Sequence, residues 1–146
     1  MSSKPLIVYA LRLENDKWYI GKTRDLEKRY QEHETGPGSS WTSLHKPIDI
    51  EEKLEDASDF DEDKLTKQYM AKYGINNVRG GSYVQLELNM WQIHNIRREI
   101  WTATDRCNIC GRSSHFAQDC YAKVNVYGEN ITQIITNMQN CVVLQK

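Results

Sequence analysis

The chain has 146 residues, with 39% hydrophobic residues and 19 basic against 20 acidic side chains. This length suits one domain of about 100 residues and a smaller segment, and the near-zero net charge excludes no class of partner. No apolar run approaches the ~20 residues of a membrane span, and the N-terminus lacks the apolar core of a secretory signal. Four cysteines, three of them clustered, favour a metal site over a disulfide framework. We therefore expect an intracellular protein of the cytoplasm or nucleus.

The charges are unevenly distributed. Residues 49–63 contain nine acidic residues and one lysine, whereas residues 64–123 contain nine basic residues and four acidic ones. The second segment is suited to face a polyanion.

The first predicted elements are two strands, Leu6–Leu13 and Lys17–Gly21. If residues 14–16 form a three-residue loop, Tyr9 and Tyr19 lie one diagonal step apart on the same face. A two-residue loop would put them on opposite faces.

Helices and one further strand follow. The pattern predicts a helix in "RDLEKRYQEHETG", a strand in "IDIEEKL", a helix over Phe60–Tyr73, a glycine turn in "INNVRGGSY" and a helix over Leu86–Trp101. The fold class expected is α/β (α+β), with a small three-stranded antiparallel sheet flanked by helices and a C-terminal zinc knuckle. The expected segments are a first domain with this sheet (1–84), a basic connecting helix (85–104), a knuckle (105–122) and a helical tail (123–146).

An ordered set of polar residues accompanies these elements: Tyr9 in "IVY", Tyr19 in "YIG", Arg29, His33, Glu62 and Asn77. This order over Pro5–Tyr83 resembles the GIY-YIG nuclease family. The first triplet departs from the family's pattern, because Ile7-Val8-Tyr9 lacks the glycine. That glycine is a backbone residue, so its loss bears more on strand geometry than on chemistry.

The resemblance implies a catalytic site made of Tyr9, Tyr19, Lys22, Arg29, His33, Glu62 and Asn77. A tyrosine needs a neighbouring cation to act as a base at neutral pH, and Lys22 is a candidate. The fork of Arg29 suits two phosphate oxygens. Glu62 could hold one Mg²⁺ or Mn²⁺. His33 would donate to phosphate or relay a proton, and Asn77 would orient the glutamate or the phosphate. Which tyrosine is the general base stays open.

Each residue also has a structural explanation. The tyrosines suit strand packing, and Arg29 and His33 suit a solvated helix face. Glu62 follows Asp59 at capping-box spacing, and Asn77 is a natural turn residue. These explanations do not predict the order and spacing of the whole set.

A second motif, "CNICGRSSHFAQDC", places Cys107, Cys110, His115 and Cys120 at C-x₂-C-x₄-H-x₄-C spacing. Four such ligands suit tetrahedral zinc, which would supply the folding energy of a segment without a core. The spacing resembles the zinc knuckles of proteins that bind RNA or single-stranded DNA. The alternative is a purely structural zinc clip.

The nucleic-acid contacts expected from the sequence are Arg79, Arg97, Arg98, Arg112 and Phe116. We therefore predict a metal-dependent DNA endonuclease, with RNA as an alternative substrate and the oligomeric state open. The pairing of modules is similar to nucleases encoded by large DNA viruses, which would place the protein in an infected host cell. The competing hypotheses are an inactive nucleic-acid clamp and a protein-interaction adaptor.

Overall fold

The computed structural model describes residues 4–36 and 38–144, with the side chains of 141–144 left out. Parts of the predicted first domain (1–3 and Pro37) and of the predicted tail (145–146) therefore lie outside the described residues. Two compact units divide between Leu88 and Asn89. They are called the N-terminal and the C-terminal unit below.

The N-terminal unit is a mixed α+β fold. Its strands are β1 (Ile7–Leu13), β2 (Trp18–Thr23), β3 (Pro47–Leu54) and β4 (Val78–Gly80), in the order β3-β1-β2-β4. Its helices are α1 (Leu26–Thr35), α2 (Ser40–Leu44) and α3 (Asp61–Tyr73). Strand β1 pairs antiparallel with β2 and β3, whereas β4 pairs parallel with β2.

The predicted three-stranded antiparallel sheet is therefore wrong in two respects. The sheet has four strands, and its fourth pairing is parallel. Strand β4 has three residues, too few for an alternating pattern, and its Arg-Gly sequence is typical of a turn. The short helix α2 has no counterpart among the predicted elements. It forms because the Ser39 and Thr42 side chains each accept a hydrogen bond from the other residue's backbone N–H.

The sheet is covered on both faces. One face packs Tyr9, Leu11, Leu13 and Tyr19 against Trp41 of α2, with Leu26 and Tyr30 of α1 beside them. On the other face, Trp18 stacks on Tyr73 of α3 with ring centroids 4.3 Å apart and meets Tyr69 edge-on at 5.4 Å. The burial of both faces fixes the strand register, since a one-residue slip would exchange them.

The C-terminal unit contains α4 (Met90–Ala103), the cysteine-rich loop and α5 (Ile131–Leu144). Helix α4 begins at a capping box of Asn89 and Gln92. Cys107, Cys110 and Ile131 form a small buried cluster. None of the helices within residues 4–36 and 38–144 combines the length and apolarity that crossing a bilayer requires.

Candidate active site and candidate metal centre

The β1–β2 hairpin places two tyrosines on one face of the sheet. Leu11 pairs with Tyr19, and Tyr9 pairs with Gly21. The turn has three residues, of which Asn15 and Asp16 take left-handed backbone angles (φ 63° and 59°) that short polar residues tolerate. The ring centroids of Tyr9 and Tyr19 lie 6.3 Å apart. The predicted register for a three-residue loop is confirmed.

The glycine after the second tyrosine makes room for the first. A methyl group on Gly21 would collide with the hydroxyl and ring of Tyr9 and touch the ring of Tyr19. Gly21 has no left-handed backbone angle, so steric space rather than conformational freedom explains the glycine.

Helix α1 adds Arg29 and His33 to the same face. The helix begins where the Asp25 side chain accepts a hydrogen bond from the Lys28 N–H at 3.2 Å. His33 is fully buried, with its Nε2 atom 2.9 Å from the Tyr9 hydroxyl. Its ring centroid lies 4.8 Å from that of Tyr19. The four-residue spacing on α1 thus directs a cation and an imidazole toward both tyrosines.

Burial controls the ionisation of these groups. It raises the pKa of Tyr9, the neighbouring Tyr19 raises it further, and the charge and hydrogen bond of Arg29 oppose the rise. Burial and the charge of Arg29 lower the pKa of His33 to about 4. At neutral pH the site therefore holds two phenols and a neutral imidazole.

Glu62 lies in the first turn of α3. The charge of Glu62 raises the pKa of both tyrosines. Burial raises the pKa of Glu62 itself, and the charge of Lys22 opposes this rise. The capping-box explanation for Glu62 is wrong, because the N-cap of α3 is Phe60 and its side chain makes no capping bond.

Two predicted contributions differ in the structure. Lys22 is exposed, and its charge lowers the pKa of Glu62. Arg29 is instead the cation whose charge lowers the pKa of the two tyrosines. Asn77 bonds to Lys17 Nζ at 2.6 Å and to the Tyr73 carbonyl at 2.8 Å. Because residue 77 precedes β4, which runs parallel to β2 from Trp18, these bonds hold Asn77 at the opposite end of β2 from Gly21.

Arg79 is not placed to contact nucleic acid, and that prediction is wrong. Its side chain is 2% exposed and stacks over the Trp41 ring at 4.7 Å. The guanidinium donates to the carbonyl oxygens of Ile75, Val78, Gln85 and Leu86. Arg79 therefore ties the segment after β4 to the core.

The cysteine-rich loop gathers its four predicted ligands. One donor atom from each of Cys107, Cys110, His115 and Cys120 lies within 4.8 Å of the others. The Cys110 sulfur is 3.4 Å from His115 Nε2. A tetrahedral site with metal–sulfur bonds of ~2.3 Å separates its ligand atoms by about 3.8 Å. The donor set and its spacing therefore fit a tetrahedral metal.

The loop is shaped for this cluster. Burial disfavours the Cys110 thiolate, but hydrogen bonds from Arg112, Cys107 and Cys120 lower its pKa to about 7. Gly111 has a left-handed backbone (φ 84°), and a methyl group there would collide with the ring of Trp101. The Cys110 sulfur is therefore stabilised as a thiolate, and the adjacent turn at Gly111 is suited only to glycine.

The remaining predicted contacts differ in accessibility. Phe116 is 58% exposed, and Arg98 is exposed. Arg97 is partly engaged, because it forms an ion pair with Glu129 at 2.9 Å and stacks over the Tyr127 ring at 4.4 Å. Arg112 donates to the Val124 carbonyl at 2.8 Å. Phe116 and Arg98 are therefore the most available of this set.

The GIY-YIG catalytic domain family matches residues 5–103. The chain is 33% identical over 42 residues to the UPF0213 protein YazA of Bacillus subtilis, which is 29% of this chain and 42% of that protein. It is 38% identical over 47 residues to a UPF0213 protein of Xanthomonas campestris, which is 32% of this chain and 46% of that protein. It is 41% identical over 44 residues to the UPF0213 protein FN1575 of Fusobacterium nucleatum, which is 30% of this chain and 44% of that protein.

The matched segments thus span less than half the length of each of these relatives. All three relatives are bacterial, so the expected similarity to viral nucleases is not supported. No solved structure matches the chain.

Proposed function

Because the chain belongs to the GIY-YIG catalytic domain family, which has a nuclease-type fold, we propose that it is a metal-dependent endonuclease that hydrolyses phosphodiester bonds in DNA. The observation that carries the proposal is the hydrogen bond between the Tyr9 hydroxyl and the buried His33 ring, made beside Arg29. A phenol joined to a neutral imidazole next to a guanidinium is suited to move a proton beside a phosphate.

Tyr9 is the better candidate for the general base. Since burial raises its pKa, Tyr9 is protonated at neutral pH and can take a proton from water only as its own proton leaves. His33 Nε2, 2.9 Å away, provides the acceptor. Tyr19 faces the His33 ring at 4.8 Å between centroids and would help to orient it.

Arg29 and Glu62 supply charge of opposite sign. The Arg29 side chain is 29% exposed and is held by Glu32 at 2.7 Å, so its fork can reach a phosphate while its position is fixed. Glu62 is a half-buried carboxylate whose pKa is raised by burial, an environment that a bound cation would relieve. A divalent ion such as Mg²⁺ or Mn²⁺ at Glu62 would neutralise the leaving oxygen.

The C-terminal unit would grip the substrate. Zn²⁺ suits the ligand set of three cysteines and one histidine. Phe116 is exposed for stacking on an unpaired base, and Arg98 is available to a phosphate. We therefore propose single-stranded or distorted DNA as the form that this unit holds, with RNA as the alternative.

Cleavage assays test the proposal. Supercoiled plasmid and a labelled branched oligonucleotide would be incubated with the full chain in Mg²⁺ or in EDTA. We expect Mg²⁺-dependent cleavage that is lost in Glu62→Gln. The control Glu51→Gln makes the same charge change on the exposed strand β3 and should cleave normally.

Two outcomes would contradict the proposal. Uncut DNA in every lane, with binding that weakens as salt rises, would identify a nucleic-acid clamp. Uncut DNA without salt-dependent binding would favour a protein-interaction adaptor.

A further inference from the structure

The His33 ring has a second partner that the sequence did not suggest. Thr42 is fully buried, and its hydroxyl oxygen lies 2.8 Å from His33 Nδ1. The two nitrogens of the ring therefore contact different hydroxyl groups, Thr42 on one side and Tyr9 on the other. Gly38 closes over the ring, because a methyl group there would collide with His33.

The other contacts of Thr42 indicate which way its hydrogen bond runs. The Thr42 oxygen accepts the backbone N–H of Ser39 at 3.1 Å. Its proton has an acceptor in the Ser39 carbonyl at 3.3 Å. The Ser39 hydroxyl oxygen also lies 3.0 Å from the Thr42 oxygen. With the Thr42 proton directed to either of these Ser39 oxygens, the second lone pair of the Thr42 oxygen can accept Nδ1–H.

The contact between Tyr9 and His33 Nε2 supports the same tautomer. The Tyr9 hydroxyl is buried, so its proton requires an acceptor within the protein. His33 Nε2 at 2.9 Å meets that need when Nδ1 carries the ring proton.

We propose that Thr42 is a positioning residue that holds His33 in the Nδ1–H tautomer, so that Nε2 is free to accept the Tyr9 proton during phosphodiester hydrolysis. This role rests on the proposed nuclease function. The tautomer itself is a property of the unliganded protein.

The proton transfers are balanced. A water gives one proton to the Tyr9 oxygen as its oxygen forms a bond to phosphorus. The original Tyr9 proton passes to His33 Nε2, which makes the ring an imidazolium. The bond from phosphorus to the leaving ester oxygen breaks, and that oxygen takes the electron pair and then a proton from solvent. The imidazolium returns its proton to solvent, which restores the neutral ring. With Nε2 already protonated, the ring would have no lone pair facing Tyr9 and the relay would stop.

A simpler explanation is that Thr42 only caps helix α2 with Ser39. The two roles are separable. Ser39→Ala removes the side-chain oxygen that accepts the Thr42 N–H and lies 3.0 Å from the Thr42 hydroxyl. It keeps the Thr42 hydroxyl and the Ser39 carbonyl that can accept its proton. Thr42→Val removes the hydroxyl and nearly preserves the side-chain shape. Thr42→Ser retains the hydroxyl.

The experiment is a ¹⁵N–¹H correlation spectrum of the histidine ring nitrogens at pH 7, recorded with single-turnover cleavage for each variant. We expect the Nδ1–H form in the wild type, Thr42→Ser and Ser39→Ala, and its loss in Thr42→Val. Cleavage by Thr42→Val should fall about 10- to 100-fold, with unchanged DNA affinity.

An Nε2–H wild type overturns the proposal, even if Thr42→Val does not fold. A folded Thr42→Val with wild-type tautomer and rate overturns it as well. If the tautomers are as expected but the wild type cleaves nothing, the nuclease function has failed while the Thr42–His33 assignment stands.

Discussion

The two units organise their polar residues in opposite ways. In the N-terminal unit, Tyr9 and Tyr19 of the sheet and His33 of α1 are buried beside apolar core residues. In the C-terminal unit, the described buried cluster around the loop includes the ligands themselves, Cys107 and Cys110. The first unit builds a core and places a site within it, whereas the second makes the site part of its core.

The difference shows where each unit obtains its stability. Apolar burial stabilises the N-terminal unit and holds its polar groups at raised or lowered pKa values. A segment of fourteen residues, 107–120, buries less apolar surface than a whole domain, so we expect a bound metal to supply much of its stability. The two units should therefore respond differently to the same treatments.

Metal removal should produce the largest difference. Structural zinc contributes about 10 kcal/mol or more to small metal-folded segments, so a strong chelator should abolish the dispersed amide NMR signals of residues 105–122. The signals of β1 and β2 should stay in place. Cys110→Ser should reproduce the effect, and Cys141→Ser, outside the four-residue motif, is the control. Unchanged signals after metal removal would show that the loop folds without metal.

Acid should weaken the N-terminal unit through His33. Its pKa of about 4 in the folded protein lies below its ordinary value of 6.5, so the unfolded chain binds a proton first as the pH falls. The stability that His33 contributes is therefore complete above pH ~6.5 and is lost toward pH ~4, up to about 3 kcal/mol.

Urea unfolding at pH 7, 5.5 and 4.5, followed by amide signals of β1 and β2, would measure this loss. His33→Gln should flatten the pH dependence, and His94→Gln in the other unit should not. A wild-type unit with equal stability at all three pH values would contradict the burial argument.

Substitution of Arg79 in the N-terminal unit should affect stability, whereas substitution of Arg98 in the C-terminal unit should affect DNA binding. Arg79→Met should lower the unfolding free energy of the N-terminal unit by about 2 kcal/mol, because it leaves buried carbonyls without a donor, and should leave salt-dependent DNA affinity intact. Arg98→Gln should do the reverse, weakening DNA binding with a stability change below about 0.5 kcal/mol. Titration of labelled DNA and urea unfolding would check both, and a DNA-binding defect in a folded Arg79→Met would contradict the structural role.

Helix caps should give the smallest effects. Asp25→Ala removes the cap of α1 and Asn89→Ala that of α4, each at about 1 kcal/mol. Each change should lower hydrogen-exchange protection in its own unit. If either loosened both units equally, the division into two independent units would be wrong.

The sequence predicted the local elements better than the environments of their side chains. The hairpin register followed from a three-residue turn, and helix α1 lies within the segment "RDLEKRYQEHETG" that was predicted to be helical. Strand β4 was missed because three residues carry no period, and it forms by pairing with β2. The positions of Arg79 and Asn77 could not be inferred, since their partners are set by tertiary packing.

The candidate site was predicted in the same uneven way. Sequence order identified Tyr9, Tyr19, Arg29 and His33 as a set, but not which of them touch. Thr42 was missed, although Ser39-x-x-Thr42 resembles a capping box. That signal indicates a helix start, and only the fold brings Thr42 to the His33 ring.

Single-turnover cleavage by Tyr9→Phe tests the central claim most directly. The substitution removes one hydroxyl and keeps the ring that packs in the sheet, and Tyr30→Phe makes the same change on α1. If Tyr9 relays the proton to His33, cleavage in Mg²⁺ should fall by about 100-fold or more while DNA affinity and Tyr30→Phe stay at wild-type levels. Equal rates for Tyr9→Phe and the wild type would contradict the account and leave the Tyr9–His33 contact as core packing.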